Sequence, residues 1–291
     1  MTADDTVRAL KVVDPGVLTT VQDSGRPGLA HLGVPRSGWL DPGAATLANR
    51  LVGNPEDVAV LECLVGGLVL EASAATTVAV TGAPCPVEVG RRPVHHAAAV
   101  AVSAGGRVAL GHVTGGLRCY VAVAGGIDVE PVLGSRATDT LSGIGPPVLR
   151  AGTVLPVGRP SASPSAAQGV PALLHDQVAE LRCAPGPRAD WFTEDALTTL
   201  AQAVYEVGPD SDRVGLRLTG PPLARARAGE LPSEGIVLGA VQVPADGRPL
   251  VFLNDHPTTG GYPVVAVVDP VDLARCAQLR PGDRVRFRPV G

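Results

Sequence analysis

Two polar, glycine-rich segments near opposite ends of the chain hold the residues best suited to chemistry. The first reads TTVQDSGRPG, from Thr19 to Gly28, and the second reads LNDHPTTGGYP, from Leu253 to Pro263. Each combines a carboxylate with hydroxyl or amide side chains and with glycines, which allow tight turns and close approach of a ligand to the backbone. Glycine and aspartate also dominate ordinary turns, so each segment alone is equally consistent with a turn and with a binding site.

The second segment brings several polar groups to one small region. It offers the carboxylate of Asp255, two threonine hydroxyls and a run of exposed amides. His256 lies inside the same segment, and its side chain is suited to act as a base near neutral pH. One histidine beside one aspartate is only a weak indication of catalysis.

Two more polar positions could contact a substrate. Ser37, in GVPRSGWLD, is followed four residues later by Asp41. This serine could be reactive, but a binding or capping hydroxyl is the favoured interpretation, and Asp41 is expected to cap a helix. Arg213 enters a predicted strand beside Asp212, where its guanidinium fork could bind a carboxylate or form a surface ion pair.

Several common kinds of site are absent from the sequence. It contains neither a G-x-x-x-x-G-K-S/T loop nor a G-x-G-x-x-G motif that opens a helix. Lys11 is the one lysine, so no internal lysine can carry biotin or form a Schiff base. No spacing suggests a metal site, because His95 and His96 would point to opposite faces of a strand. The net charge of −4, without a basic block, predicts no nucleic-acid partner.

The cysteines and the hydropathy pattern predict a cytoplasmic protein. The odd number of widely spaced cysteines, with no C-x-x-C pair, is typical of reduced thiols (Cys63, Cys85, Cys119, Cys183 and Cys276). The N-terminus lacks the features of a signal peptide, and no apolar run is long enough to cross a membrane.

The elements that must position the polar segments are mostly short strands. Apolar or alternating runs end in glycine turns, as at 58–71 and 97–111. Glu62 lies inside the first of these runs, and we expect it on the solvent face. Capping residues and helical spacing predict three short helices, at 41–53, 191–205 and 269–279.

A stretch rich in Ser, Ala and Pro predicts a linker at 159–175. It would separate an N-terminal domain, 1–158, from a C-terminal domain, 176–291. The similarity of LRAGTVLPV (149–157) to LRPGDRVRFRPV (279–290) leaves open that the two domains are duplicates.

Taken in order, the motifs of the chain resemble the family of the 5-oxoprolinase C subunit. That family includes the Kip antagonist protein, allophanate hydrolase subunit 2 and the second half of the carboxyltransferase region of urea amidolyase. The resemblance extends over about residues 16–288 and rests on TTVQDSGRPG, GVPRSGWLDPGAATLANRLVGNPEDVAVLE, TGAP, YVAVAGGI, LGSRATD, SDRVGLRLTGPPL, SEGIVLGAVQVP, DHPTTGGYP and LRPGDRVRF.

The resemblance implies a mainly β fold of two cyclophilin-like β-barrel domains with a few short helices. It also implies a complex with two partners, a Kip-inhibitor-like B subunit and possibly an A subunit, which opens 5-oxo-L-proline to L-glutamate with ATP. ATP would be bound with or by a partner, and no biotin would be attached to this chain. The alternatives are a biotin-dependent carboxyltransferase acting on urea or a related amide, and a non-catalytic regulator of a Kip-inhibitor-like protein.

On this resemblance, phosphorylation of the lactam oxygen would make its carbon electrophilic to water. Asp255 would be the acid or base, and Thr258, Thr259 and the amides of Gly260 and Gly261 would stabilise the oxyanion. We further expect a crevice shared by both polar segments, with substrate-binding residues Gln22, Asp23, Arg26, Ser37, Arg213, Gly260, Gly261 and Tyr262. The chain departs from the expected pattern at Asn254, Pro257 and Leu216, so the resemblance does not specify the substrate.

Overall fold

The structure is a computed structural model that describes residues 8–164, 178–229 and 231–290. Contacts between residues divide this part of the chain into two compact units. The first unit consists of residues 8–26 and 41–164, and the second consists of residues 27–40, 178–229 and 231–290. Both units are built mainly from β-strands, as the sequence predicts. The boundaries predicted at 158 and 176 stay predictions, because most of the predicted linker lies outside the described residues.

The first unit contains one α-helix, α1 (Pro42–Val52), and two sheets. Its strands are β1 (Ala9–Pro15), β2 (Leu18–Gln22), β3 (Val60–Leu64), β4 (Leu68–Ala72), β5 (Thr76–Gly82), β6 (Val87–Val89), β7 (Arg92–Val94), β8 (Val100–Val102), β9 (Arg107–Leu110), β10 (Arg118–Val123) and β11 (Val154–Pro156). One sheet has the strand order β11-β1-β4-β9-β6-β7, and the other has the order β2-β3-β10-β5-β8. Apolar side chains from both sheets form a single buried core.

The second unit is built around a closed barrel of seven strands, in the order β12-β19-β16-β17-β14-β13-β20. Its strands are β12 (Ala179–Pro185), β13 (Tyr205–Val207), β14 (Gly215–Thr219), β15 (Glu234–Gly235), β16 (Ala240–Gln242), β17 (Leu250–Phe252), β18 (Thr259–Gly260), β19 (Val264–Val268) and β20 (Arg284–Pro289). Strands β15 and β18 form a separate two-stranded ribbon. Helices α2 (Glu194–Gln202) and α3 (Pro270–Cys276) contact β20 and β12 respectively.

The three predicted helices are confirmed, and so are the signals that predicted them. The side chain of Asp41 accepts a hydrogen bond from the Ala44 amide at 3.0 Å, and Pro42 follows at the first helical position. Gly53 ends α1 in the left-handed conformation, which glycine adopts without steric cost. Among the described helices, none is both long and apolar enough to cross a membrane.

Candidate functional site

The centre of the second polar segment is a buried ion pair between Asp255 and Arg213. Asp255 follows β17, and Arg213 precedes β14, which pairs with β17. The guanidinium Nε lies 2.9 Å from Asp255 Oδ2, and Nη2 lies 3.0 Å from Oδ1. The Asp255 side chain is 0% exposed and that of Arg213 is 2% exposed. This two-pronged geometry is the strongest form of the arginine–carboxylate interaction and fixes both side chains.

The same residues hold the backbone around Ser37. Arg213 Nη2 donates to the Gly38 carbonyl at 2.7 Å. The Asn254 side chain donates to the carbonyls of Ser37 at 3.1 Å and Trp39 at 2.7 Å. The Ser37 amide donates in return to the Asn254 carbonyl at 3.0 Å. Asn254, which the sequence marked only as a departure from the family, is therefore a main support of this turn.

Ser37 itself combines a buried side chain with an uncommon backbone conformation. Its side chain is buried, and its φ of 53° lies in the left-handed region that residues other than glycine rarely adopt. Its Oγ has no hydrogen-bond partner among the described residues. A buried hydroxyl without a partner costs about 1–3 kcal/mol, and strained backbone is concentrated at functional sites. These two features make Ser37 a candidate for ligand binding, and its role in the site stays a prediction.

The loop that follows Asp255 is pinned at several points. The Ile236 amide donates to the Thr258 carbonyl at 2.9 Å, and β18 pairs with β15. The Gln242 side chain donates to the Tyr262 carbonyl at 2.9 Å. A Cβ on Gly260 would lie 2.8 Å from Gln242 Nε2, so this position has room only for glycine unless the glutamine moves. Thr258 is half-buried, whereas the tip of the loop is exposed (Thr259, Gly261 and Tyr262).

His256 packs within the turn that follows β17. Its side chain is buried, and Nδ1 lies 2.8 Å from the Pro257 carbonyl. The ring lies 6.0 Å from that of Phe252, in a tilted arrangement. These contacts indicate that His256 supports the turn after β17.

In the first unit, Asp23 organises a turn through its carboxylate. One oxygen accepts from the Gly25 amide at 2.8 Å and from the Ser135 hydroxyl, and the other accepts from the Arg136 amide. Asp23 is buried. The sequence did not single out Ser135 as a site residue, although it lies in the LGSRATD motif.

Gln22 and Arg26 bind the same stretch of backbone as Asp23. Gln22 Nε2 donates to the Thr138 carbonyl at 2.9 Å, and Arg26 Nη2 donates to the Ala137 carbonyl. Both side chains are buried. The three predicted residues therefore lie together, and in the structure they join the turn after β2 to residues 135–138.

A second buried network surrounds Tyr120 and was not predicted. Tyr120 Oη donates to Glu62 Oε2 at 2.9 Å and accepts from the Asp41 amide at 2.9 Å. Arg118 Nε lies 3.5 Å from Glu62 Oε1. Burial, and then the charge of Glu62, raises the pKa of Tyr120 well above its ordinary value. The tyrosine therefore acts as a neutral donor to the carboxylate.

The expectation that Glu62 faces solvent is wrong, because this residue is 4% exposed. Helix α1 contacts β3, β5 and β10, so the sheet is covered on the face that an exposed carboxylate would need. The sequence did contain a signal for this buried network, because each of two apolar runs holds one polar residue. These residues, Glu62 and Tyr120, lie directly opposite each other across β3 and β10.

The predicted site residues thus fall into two groups. Ser37, Arg213, Asp255 and the loop from Thr258 to Tyr262 belong to the second unit, and Gln22, Asp23 and Arg26 belong to the first. A crevice shared by the two groups stays a prediction. Within the described ranges, no three His, Cys, Asp or Glu side chains cluster closely enough to hold a metal ion.

Comparison with known proteins adds the family. The sequence profile of the carboxyltransferase domain, subdomain A and B, matches residues 32–289. The chain is 38% identical to the C subunit of 5-oxoprolinase from Escherichia coli over 96% of its own length and 90% of that protein. It is 32% identical to urea amidolyase of Lachancea kluyveri over 97% of its length, but it spans only 17% of that enzyme.

A solved structure agrees with the sequence relatives. The urea amidolyase of K. lactis superposes on 100% of this chain with a TM-score of 0.93 and 30% identity, over 19% of its own length. The relatives are thus an enzyme subunit of similar length and much longer enzymes, of which the chain spans 17% to 19%. This chain belongs to the family of carboxyltransferase domains with subdomains A and B.

Proposed function

We propose that this chain is the C subunit of an ATP-dependent 5-oxoprolinase complex that hydrolyses 5-oxo-L-proline to L-glutamate. The observation that carries the proposal is the match in length as well as sequence. The chain accounts for 90% of the E. coli 5-oxoprolinase protein with 38% identity. The urea amidolyases, by contrast, are several times longer than the chain. We propose a cytoplasmic location and two partners, equivalent to a Kip-inhibitor-like B subunit and to an A subunit.

The buried fork of Arg213 suggests how a substrate would be recognised. 5-Oxo-L-proline carries a carboxylate, which is an equivalent partner for a guanidinium fork. Both oxygens of Asp255 accept from Arg213 in the structure. The substrate carboxylate would compete with Asp255 for the guanidinium fork of Arg213. In this proposal substrate binding releases Asp255 to act as the acid or base.

The loop after Asp255 would stabilise the charge that develops on the lactam oxygen. Donors for an oxyanion must be preorganised, and this loop is pinned by β15 and by Gln242. We assign the donor role to the amides of Gly260 and Gly261 and to the hydroxyls of Thr258 and Thr259. Ser37, whose hydroxyl has no partner among the described residues, is assigned to substrate binding, as are Tyr262 and the group Gln22, Asp23 and Arg26.

The described residues do not fit a conventional nucleotide site. Helix N-termini commonly bind phosphate, but those of the three described α-helices are capped by their own side chains, Asp41, Thr193 and Asp269. Lys11, the one lysine, lies in β1. We therefore assign ATP to a partner protein, and we propose no biotin attachment to this chain.

The test is reconstitution of the complex. Co-expression with the equivalents of the B and A subunits should yield ATP-dependent release of glutamate from 5-oxoproline. Asp255→Asn should lower kcat, and Arg213→Lys should mainly raise KM, because a lysine cannot reproduce the fork. Asp210→Asn is a matched control, because Asp210 is exposed and outside the proposed site. Unchanged turnover in the Asp255→Asn complex would remove Asp255 from the mechanism while leaving the assignment of the complex intact.

A second candidate is transfer of a carboxyl group to urea or a related amide. It is favoured by the family profile and by the superposition on urea amidolyase. A biotinylated carrier and a biotin carboxylase would then have to be supplied by other chains. Carboxylation of urea by the chain with those components, together with absence of glutamate release, would replace the first proposal. A complex that shows neither activity, but in which the chain binds a Kip-inhibitor-like protein, would indicate a regulator.

A further inference from the structure

Two cysteines of the first unit face each other inside its core. Cys119 lies in β10, and Cys85 lies in the connection from β5 to β6. The two Sγ atoms are 3.6 Å apart, and Cys119 Sγ is also 3.3 Å from the Ala83 carbonyl. The Ala83 amide donates to the Arg118 carbonyl at 2.8 Å, which fixes the connection against the strand.

The two cysteines are both buried, but they differ in residual exposure. Cys85 is 8% exposed, whereas Cys119 is 0% exposed. The hydrogen bond from Cys119 lowers the pKa of the Cys85 thiol. The same hydrogen bond and burial raise the pKa of Cys119. The residue with the greater exposure is thus also the one whose thiol pKa is lowered by its neighbour, which is the arrangement of a reactive cysteine beside a resolving one.

From this geometry we infer that Cys85 and Cys119 are an oxidisable pair that closes to a disulfide when a peroxide reaches Cys85. In the first step the Cys85 thiolate attacks the peroxide, the O–O bond breaks, and Cys85 becomes a sulfenic acid as hydroxide leaves. In the second step the Cys119 sulfur attacks Cys85, the S–O bond breaks, and the Cys119 proton leaves with the hydroxide as water. Two thiols are oxidised, and one peroxide is reduced to two waters.

Closure demands little movement. A disulfide bond is about 2.05 Å long, so the sulfurs must approach by about 1.6 Å. Cys119 sits in a central strand that is buried along its whole length, and the connection that carries Cys85 is held by hydrogen bonds to the carbonyls of Pro84 and Pro86. We therefore expect closure by rotation of the two side chains, with little movement of either backbone.

The pair also borders the buried network around Glu62. Cys119 stands between Arg118 and Tyr120, which both contact Glu62. A covalent link at Cys119 would tie the connection after β5 to the strand that carries this network. This consequence is independent of the proposed function.

The test is chemical mapping of the full chain after treatment with hydrogen peroxide. Intact mass should fall by about 2 Da, and alkylation should be lost at Cys85 and Cys119 together. Cleavage after Glu71 separates Cys63 from Cys85, so digestion at glutamate shows which cysteine is linked to Cys119. Cys183 and Cys276 are internal controls, because burial raises their pKa values to about 11 and about 12.

Two results would overturn the inference. One is a peroxide-treated chain in which Cys85 and Cys119 still react with the alkylating reagent after denaturation without a reducing agent. The other is a disulfide that joins Cys119 to Cys63 instead. Cys85→Ser should abolish the 2 Da loss, and a melting curve of that variant shows whether it is folded. Should it fail to fold, the mapping of the unmodified chain decides the question alone.

Discussion

Removing the carboxylate of Asp255 should destabilise the second unit strongly. In Asp255→Ala the guanidinium of Arg213 would be left 2% exposed and without its carboxylate. Breaking a buried ion pair by deleting one partner costs about 3–5 kcal/mol. Since a domain is stable by only about 5–15 kcal/mol, the loss should be visible as a much lower urea midpoint.

Tryptophan fluorescence can follow this unit by itself. The chain has two tryptophans, Trp39 and Trp191, and both belong to the second unit. Unfolding in urea, followed at the tryptophans, therefore reports on the barrel that contains the ion pair. Glu180→Gln is a matched control, because Glu180 pairs with Arg288 on the surface of the same unit, where both side chains are 48% exposed. It should leave the midpoint almost unchanged.

A double variant separates the charge from the packing. In Arg213→Met with Asp255→Leu, no charge is left buried, so most of the loss should be recovered. A residual deficit of about 1 kcal/mol is expected, because the hydrogen bond from Arg213 to the Gly38 carbonyl is also lost. If Asp255→Ala shifts the midpoint no more than Glu180→Gln does, the pair is not buried in solution and the reasoning fails.

Three further predictions concern single positions. Tyr205→Phe should leave the free energy of urea unfolding unchanged or raise it by about 1 kcal/mol, because the buried hydroxyl has no hydrogen-bond partner among the described residues. A clear loss of stability would show that this hydroxyl is bonded. Gly260→Ala should lower turnover of the reconstituted complex while the chain stays folded, because the new methyl group displaces Gln242 from the loop. Full activity would contradict the proposed role of the loop in stabilising the oxyanion. Arg182 holds the pKa of Asp272 below its ordinary value of 3.8, so the stabilisation is present above that value and is lost as the pH falls through the lowered pKa. Asp272→Asn should therefore weaken the acid dependence of stability, and an unchanged dependence would argue against the pair.

Local signals in the sequence were sufficient for the class of the fold and for the helices. Glycine turns between short apolar runs predicted a mainly β protein, and Asp41 and Asp269 marked two helix starts as N-caps. These signals act within a few residues, so they do not depend on the rest of the chain. The order of motifs likewise placed the chain in the family that the comparisons show.

Only the tertiary structure decided which polar residues meet. Arg213 and Asp255 are 42 residues apart, and whether they form a surface pair or a buried one depends on the pairing of β14 with β17. The grouping of residues 27–40 with the second unit was outside the predicted division, and it explains how Ser37 reaches Asn254. Glu62 was misjudged for the same reason, because the burial of a strand face is set by the helix that packs against it. Spacing along the chain carries no information about such contacts, since they arise from strand register and from the elements that cover each sheet.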